Sequence, residues 1–84
     1  MSKYDPLYHW LHCQTTKIVP ATFSQLEMIL GFNLPATARH RCEWWANETG
    51  ATRHVQCRAW LDAGYETREV DLPREILEFV KAPV

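Results

Sequence analysis

The chain has 84 residues, ten of them aromatic and four of those tryptophan, with a formal net charge of -1. That length holds one domain, 1–84, because a second core needs roughly 50 residues of its own, and a two-domain enzyme is excluded. Hydrophobic residues at 46% and charged residues at 23% are the proportions of a folded chain, and the near-neutral balance removes the simplest nucleic-acid signature, a strongly basic domain.

Tyr4, Leu7, Tyr8 and Leu11 recur at helical spacing. With Asp5 as N-cap and Pro6 at the first helical position they predict a helix over about Pro6–Cys13. Thr15 to Val19 are β-prone and are followed by Pro20, which predicts a short edge strand ending there. Thr22 and Gln25 form a capping-box pattern ahead of Phe23, Leu26, Ile29 and Leu30, and Gly31 stands where a helix closes, so a second helix runs over Phe23–Leu30. After a short turn at Phe32-Asn33-Leu34, Pro35 opens a third helix through Ala36, Ala38, Arg39 and onward.

Asn47 to Gly50 have the residues of a loop. His54 to Ala63 read either as a helix burying Val55, Ala59, Trp60 and Ala63 and closed by Gly64, or as a strand turning Val55, Cys57, Ala59 and Leu61 inward; the helix is preferred. Tyr65–Leu72, a turn at Pro73-Arg74, and Ile76–Val80 predict a β-hairpin. The order implies an α+β fold of winged-helix-like form, with three to four helices and a small three-stranded antiparallel sheet. The second and third helices would be a helix-turn-helix pair, and Pro73-Arg74 the wing tip.

The motifs Tyr4-Asp5-Pro6-Leu7-Tyr8, Thr22-Phe23 with Leu26-Glu27 and Ile29-Leu30-Gly31, Leu34-Pro35 with Ala38-Arg39, Trp44-Trp45 with Asn47, and Ala59-Trp60-Leu61 with Ala63-Gly64-Tyr65 cover nearly the whole chain. Together they resemble a family of small bacterial and phage domains of unknown function. The resemblance implies modules that stand alone or are joined to others, and binding more than catalysis.

Charge is unevenly spread. Arg39, Arg41, Arg53 and Arg58 face only Glu43 and Glu48 between Thr37 and Arg58, a local +2, whereas the rest of the chain is acidic. Arginine pairs bidentately with phosphate and with guanine edges, so these residues and Arg74 at the wing tip are candidate nucleic-acid contacts, with Arg39 and Arg41 on the recognition helix. Two adjacent tryptophans cannot both face one core. Helical spacing puts Trp45 in register with Arg41 and Ala38, which assigns Trp45, beside Asn47, to a binding face and Trp44 to the core. The competing readings are that both tryptophans pack and that the charges form an ordinary solvated face.

Cys13, Cys42 and Cys57 are an odd count without close pairing, as expected of reduced thiols in the cytoplasm. Cys42, His54 and Cys57 supply three nitrogen or sulfur atoms where a structural zinc site needs four, and no CxxC or HExxH occurs, so neither metal nor cofactor is expected. No phosphate-loop, dinucleotide or nucleophile-elbow motif is present, and no apolar run approaches the roughly 18 residues of a membrane span. The sequence therefore points to a non-enzymatic nucleic-acid-binding domain, a small DNA-binding regulator or recognition module. The alternative is a binder of a small ligand, such as a nucleotide, or of a partner protein, an inhibitor built on an aromatic and arginine pocket.

Overall fold

A computed structural model describes residues 2–48 and 55–82. The elements are α1 (Asp5–His12), β1 (Ile18–Thr22), α2 (Phe23–Leu30), α3 (Ala36–His40), a 3₁₀ turn (Cys42–Trp45), α4 (Val55–Asp62), β2 (Tyr65–Asp71) and β3 (Ile76–Lys81). Four helices and one three-stranded antiparallel sheet make this an α+β fold, in the expected order. The 54–63 segment is helical over Val55–Asp62, while His54 and Arg53 lie outside the described residues. None of the described helices is long and apolar enough to cross a membrane.

Local chemistry accounts for α2 closely. The Thr22 hydroxyl accepts from the Gln25 N–H at 3.0 Å, and Gly31, at φ +82, ends the helix by returning its N–H to the Glu27 carbonyl at 2.8 Å. In α1 the boundary moves by one residue: Tyr4 is the N-cap, without a side-chain bond, and Asp5 already lies inside the helix, where its charge suits the N-terminal dipole.

Strand β1 departs from expectation in a physically informative way. It runs from Ile18 through Pro20 to Thr22 instead of stopping at the proline. The sheet order is β1-β3-β2, so β1 is an edge, and a proline there can turn its missing N–H away from the ladder. Val19 and Ala21 point inward beside Phe79 and Leu77 of β3, their register partners. Thr67 and Tyr65 of β2 complete the inner face.

Against that face the helices deliver Leu7 and Leu11 from α1, Phe23, Leu26 and Leu30 from α2, Ala38 from α3, Trp45 from the 3₁₀ turn, and Ala59 and Trp60 from α4, all in one core. Helix α1 packs on α2 and α4, and α4 also packs on β2. The Cα radius of gyration, 11.7 Å, is close to the ~12 Å expected of a single compact body of this length.

The third helix is shorter than the sequence suggests. It ends at His40, and Arg41 is extended at φ -132 and ψ 119 before the chain winds up again as 3₁₀. The Ala38 carbonyl, near the helix end where carbonyls lack backbone partners, instead accepts the indole N–H of Trp45 at 2.8 Å. A tertiary hydrogen bond therefore substitutes for further helix, and the expected recognition helix has five residues.

Candidate binding site

The break at Arg41 takes Trp45 off the expected binding face and into the core, against which Trp44 also packs. Trp45 is 2% exposed and stacks between Phe23 at 5.0 Å and Trp60 at 6.0 Å. The expectation that it faces a ligand assumed an unbroken α-helix from Pro35. The 3₁₀ turn has three residues per turn and starts from a new direction, so Trp45 swings into the core. Trp44 is the half-buried member, edge-on to Trp45 at 4.6 Å and to Tyr4 at 6.0 Å. Its carbonyl is tied to α4 by the Gln56 amide at 3.2 Å.

Asn47 has an internal task. Its Oδ1 accepts from the Trp60 indole at 3.0 Å and from the Thr67 N–H at 2.9 Å, while its Nδ2 donates to the Thr67 carbonyl at 3.1 Å. One amide side chain thus occupies the outer hydrogen-bonding groups of β2 as a neighbouring strand would. The Thr67 hydroxyl adds a bond to the Trp45 carbonyl. The 3₁₀ turn, α4 and β2 are joined at this point, and no buried side-chain nitrogen or oxygen among the described residues lacks a partner.

Arg39 is similarly committed. Its guanidinium meets Glu27 of α2 and Glu75 before β3, each at 3.0 Å, and lies over the Phe23 ring at 5.8 Å. Glu27 also accepts the Leu34 N–H at 2.7 Å, which fixes the turn between α2 and α3. The hydrogen bond from Arg39, then that from the Leu34 N–H, holds the Glu27 carboxyl below its ordinary pKa; the same bond to Glu27 raises that of Arg39.

The other arginines fall in different places. Arg58 pairs with Asp62 at 3.5 Å and lines a cleft with Asp5, Tyr8 and His9, so α4 presents it alongside α1 and not alongside α3. Arg74 sits at the hairpin turn as expected, its N–H on the Asp71 carboxylate at 3.1 Å and its side chain 78% exposed. Arg68 pairs with Glu66. Among the described arginines Arg41 alone has no carboxylate partner. It lies beside Trp44, Thr37 and Glu43 around an open groove of about 400 Å³. Thr37 and Glu43 carried no signal in the sequence that would mark them; the groove exists because α3 and the 3₁₀ turn meet at a corner.

The zinc reading falls partly on His54, outside the described residues. Cys42 is exposed, and buried Cys57 donates its thiol to the Glu48 carbonyl at 3.6 Å. Among the described residues no three His, Cys, Asp or Glu side chains are placed to hold a metal ion, and none of the three cysteines is in a disulfide.

Comparison with curated proteins and with solved structures finds no match. A family model does match, over residues 4–82 and so over nearly all of the sequence, and by that match the chain belongs to the domain family of unknown function DUF7662.

Proposed function

We propose that the protein is a non-catalytic binding module that recognises a partner protein through the corner between α3 and the 3₁₀ turn. The observation that carries this reading is that the half-buried Trp44 and Arg41, which forms no ion pair among the described residues, line one groove. Tryptophan and arginine are the residues most enriched where interfaces concentrate their binding energy, because both combine a large apolar surface with directional donors. Glu43 on the same groove favours a polypeptide, which offers donors, over a phosphate backbone, which offers only negative charge. Trp44 is also well backed: the Tyr4 and Trp45 rings hold it from behind, so little side-chain freedom is lost on binding.

A second reading is a nucleic-acid-binding module of winged-helix-like form. It is favoured by the element order, in which α2 and α3 precede a hairpin that closes the three-stranded sheet, with Arg74 at the hairpin turn. Arg39, Arg58 and Arg74 would have to exchange carboxylates for phosphates to take part.

A photo-crosslinking amino acid at position 37, used in cell extract with wild-type and Trp44→Ala backgrounds, tests the proposal. A defined protein adduct that Trp44→Ala abolishes without altering the melting curve supports it. A gel shift with duplex or single-stranded DNA that Arg41→Glu removes, and that weakens with salt by about 0.9 counterions per phosphate contact, transfers the function to nucleic acid.

A further inference from the structure

The outer face of the sheet, opposite the core, carries a second surface separate from the Trp44 corner. Register places Ile18 beside Val80, Pro20 beside Glu78 and Thr22 beside Ile76, with Arg68 next to Glu78 on the far side. Around Ile76, itself 38% exposed, lies a groove of about 270 Å³ that also takes in Pro20, Thr22, Gln25, Glu69 and Glu78. It adjoins a groove of about 450 Å³ along the hairpin, which shares Glu69 and Ile76 and adds Val70, Leu72 and Pro73. Neither groove is lined by a lysine or arginine.

Two carboxylates on this surface form no ion pair among the described residues, although Arg68 is the cross-strand neighbour of Glu78. Glu66, Asp71 and Glu75 are each paired with an arginine, whereas Glu69 and Glu78 have no ion-pair partner among the described residues. Glu69 is also held at an unfavourable backbone angle. It sits at φ 52 within the irregularity between Arg68 and Asp71, in the left-handed region that non-glycine residues avoid. Glu75 is left-handed too, at φ 57, but its carboxylate binds Arg39 and its carbonyl accepts the Phe23 N–H at 2.9 Å. Those bonds support Glu75 from within the fold; the described contacts offer Glu69 no equivalent.

We propose that this groove docks an extended segment of a protein partner that presents an arginine or lysine next to an aliphatic side chain. The aliphatic group lies on Ile76 and Pro20, and the cation reaches Glu69 and Glu78. The occupant follows from complementarity: an apolar floor whose titratable walls are both acidic selects a cationic, partly apolar chain and repels an acidic one. Its size fits one or two side chains, being at the lower limit of the roughly 300–1,000 Å³ of pockets that enclose a whole small molecule. Pro20 removes a donor from the middle of the β1 edge, so recognition runs through side chains on the face and not through an added strand.

Fluorescence anisotropy with a fluorescein-labelled peptide of alternating leucine and arginine tests this, with a leucine–glutamate peptide as counterpart. The cationic peptide binds saturably, the acidic one does not, and Glu69→Gln with Glu78→Gln weakens binding by about tenfold or more. Glu69→Gly keeps the test clear of misfolding: it relieves the left-handed backbone and raises the melting temperature while still weakening the peptide. Trp44→Ala binds the peptide as wild type does, which separates this groove from the corner. Absence of saturable binding, equal binding of the two peptides, unchanged affinity in the double variant, or loss of binding on Trp44→Ala would each overturn the proposal.

Discussion

Trp44 and Trp45 are adjacent in the chain and have opposite surroundings. Trp45 is enclosed by Phe23, Trp60 and the Ala38 carbonyl, and its own carbonyl holds the Thr67 hydroxyl. Trp44 has rings behind it and an open groove in front, beside an unpaired arginine. The inner region spends its polar groups on itself, so changes there should register as lost stability. The corner leaves apolar area and charge unused, so changes there should register as lost binding. The same contrast separates Asn47 and Arg39, whose polar atoms are consumed in the fold, from Arg41.

The largest effect should come from Trp45→Ala, which removes a fully buried indole and leaves a cavity between Phe23 and Trp60. A loss of about 3–5 kcal/mol is expected in urea denaturation, a large share of the stability of so small a chain. Asn47→Ala should follow at about 1–3 kcal/mol, since it strips partners from the Trp60 indole and from both backbone groups of Thr67. If Asn47→Ala proved neutral, the joint between the 3₁₀ turn and β2 would not be the fastening described, and the division between inner and outer regions would weaken.

How much of this the sequence could disclose depends on the distance over which each feature is determined. Helix α2 was legible residue by residue because Thr22, Gln25 and Gly31 act within one turn of the chain. The hairpin was legible from its β-formers, and α4 only in part: periodicity left a strand reading open, Gly64, which lies at φ +88, tipped it to a helix, and Val55, read as buried, is 51% exposed. Strand β1 was legible as an edge but not in its extent, because Pro20 reads locally as a stop although an edge strand accepts a proline whose missing N–H faces away from the ladder. Trp45 falls on the wrong side in the sequence reading because α3 ends through its indole bond to Ala38, a contact decided by packing and not by propensity. The Glu27–Arg39–Glu75 cluster joins residues 12 and 36 positions apart in the numbering, beyond any local pattern.

A smaller effect, with a distinctive pH dependence, is expected at that cluster. Both side chains are partly exposed, so solvent screening limits Glu27→Gln to about 1–2 kcal/mol at neutral pH. The Glu27 pKa is lowered in the folded state, so its contribution is fully present above the ordinary glutamate pKa of about 4.3 and disappears as pH falls through the depressed value. The gap between wild type and Glu27→Gln should therefore close on acidification below that range. A gap that stayed constant down to strongly acidic pH would mean that the carboxylate charge contributes nothing.

The smallest stability effect is expected at the corner, and there the contrast between the two regions is sharpest. Arg41→Ala removes a solvent-facing side chain without an ion pair, so its change in stability should lie within about 0.5 kcal/mol. Trp44→Ala removes a half-buried ring whose carbonyl bond to Gln56 is a backbone matter and survives the substitution, so it should cost clearly less than Trp45→Ala. In a partner assay the ranking should invert, because a truncated tryptophan or arginine at the centre of an interface commonly costs 2 kcal/mol or more, roughly 30-fold in affinity. A double-mutant cycle between the two positions reads their cooperation directly: residues that grip one partner group together should show a coupling of about 0.5 kcal/mol or more in binding and almost none in unfolding. Coupling in unfolding alone would make Arg41 and Trp44 a structural pair and leave the corner without a partner.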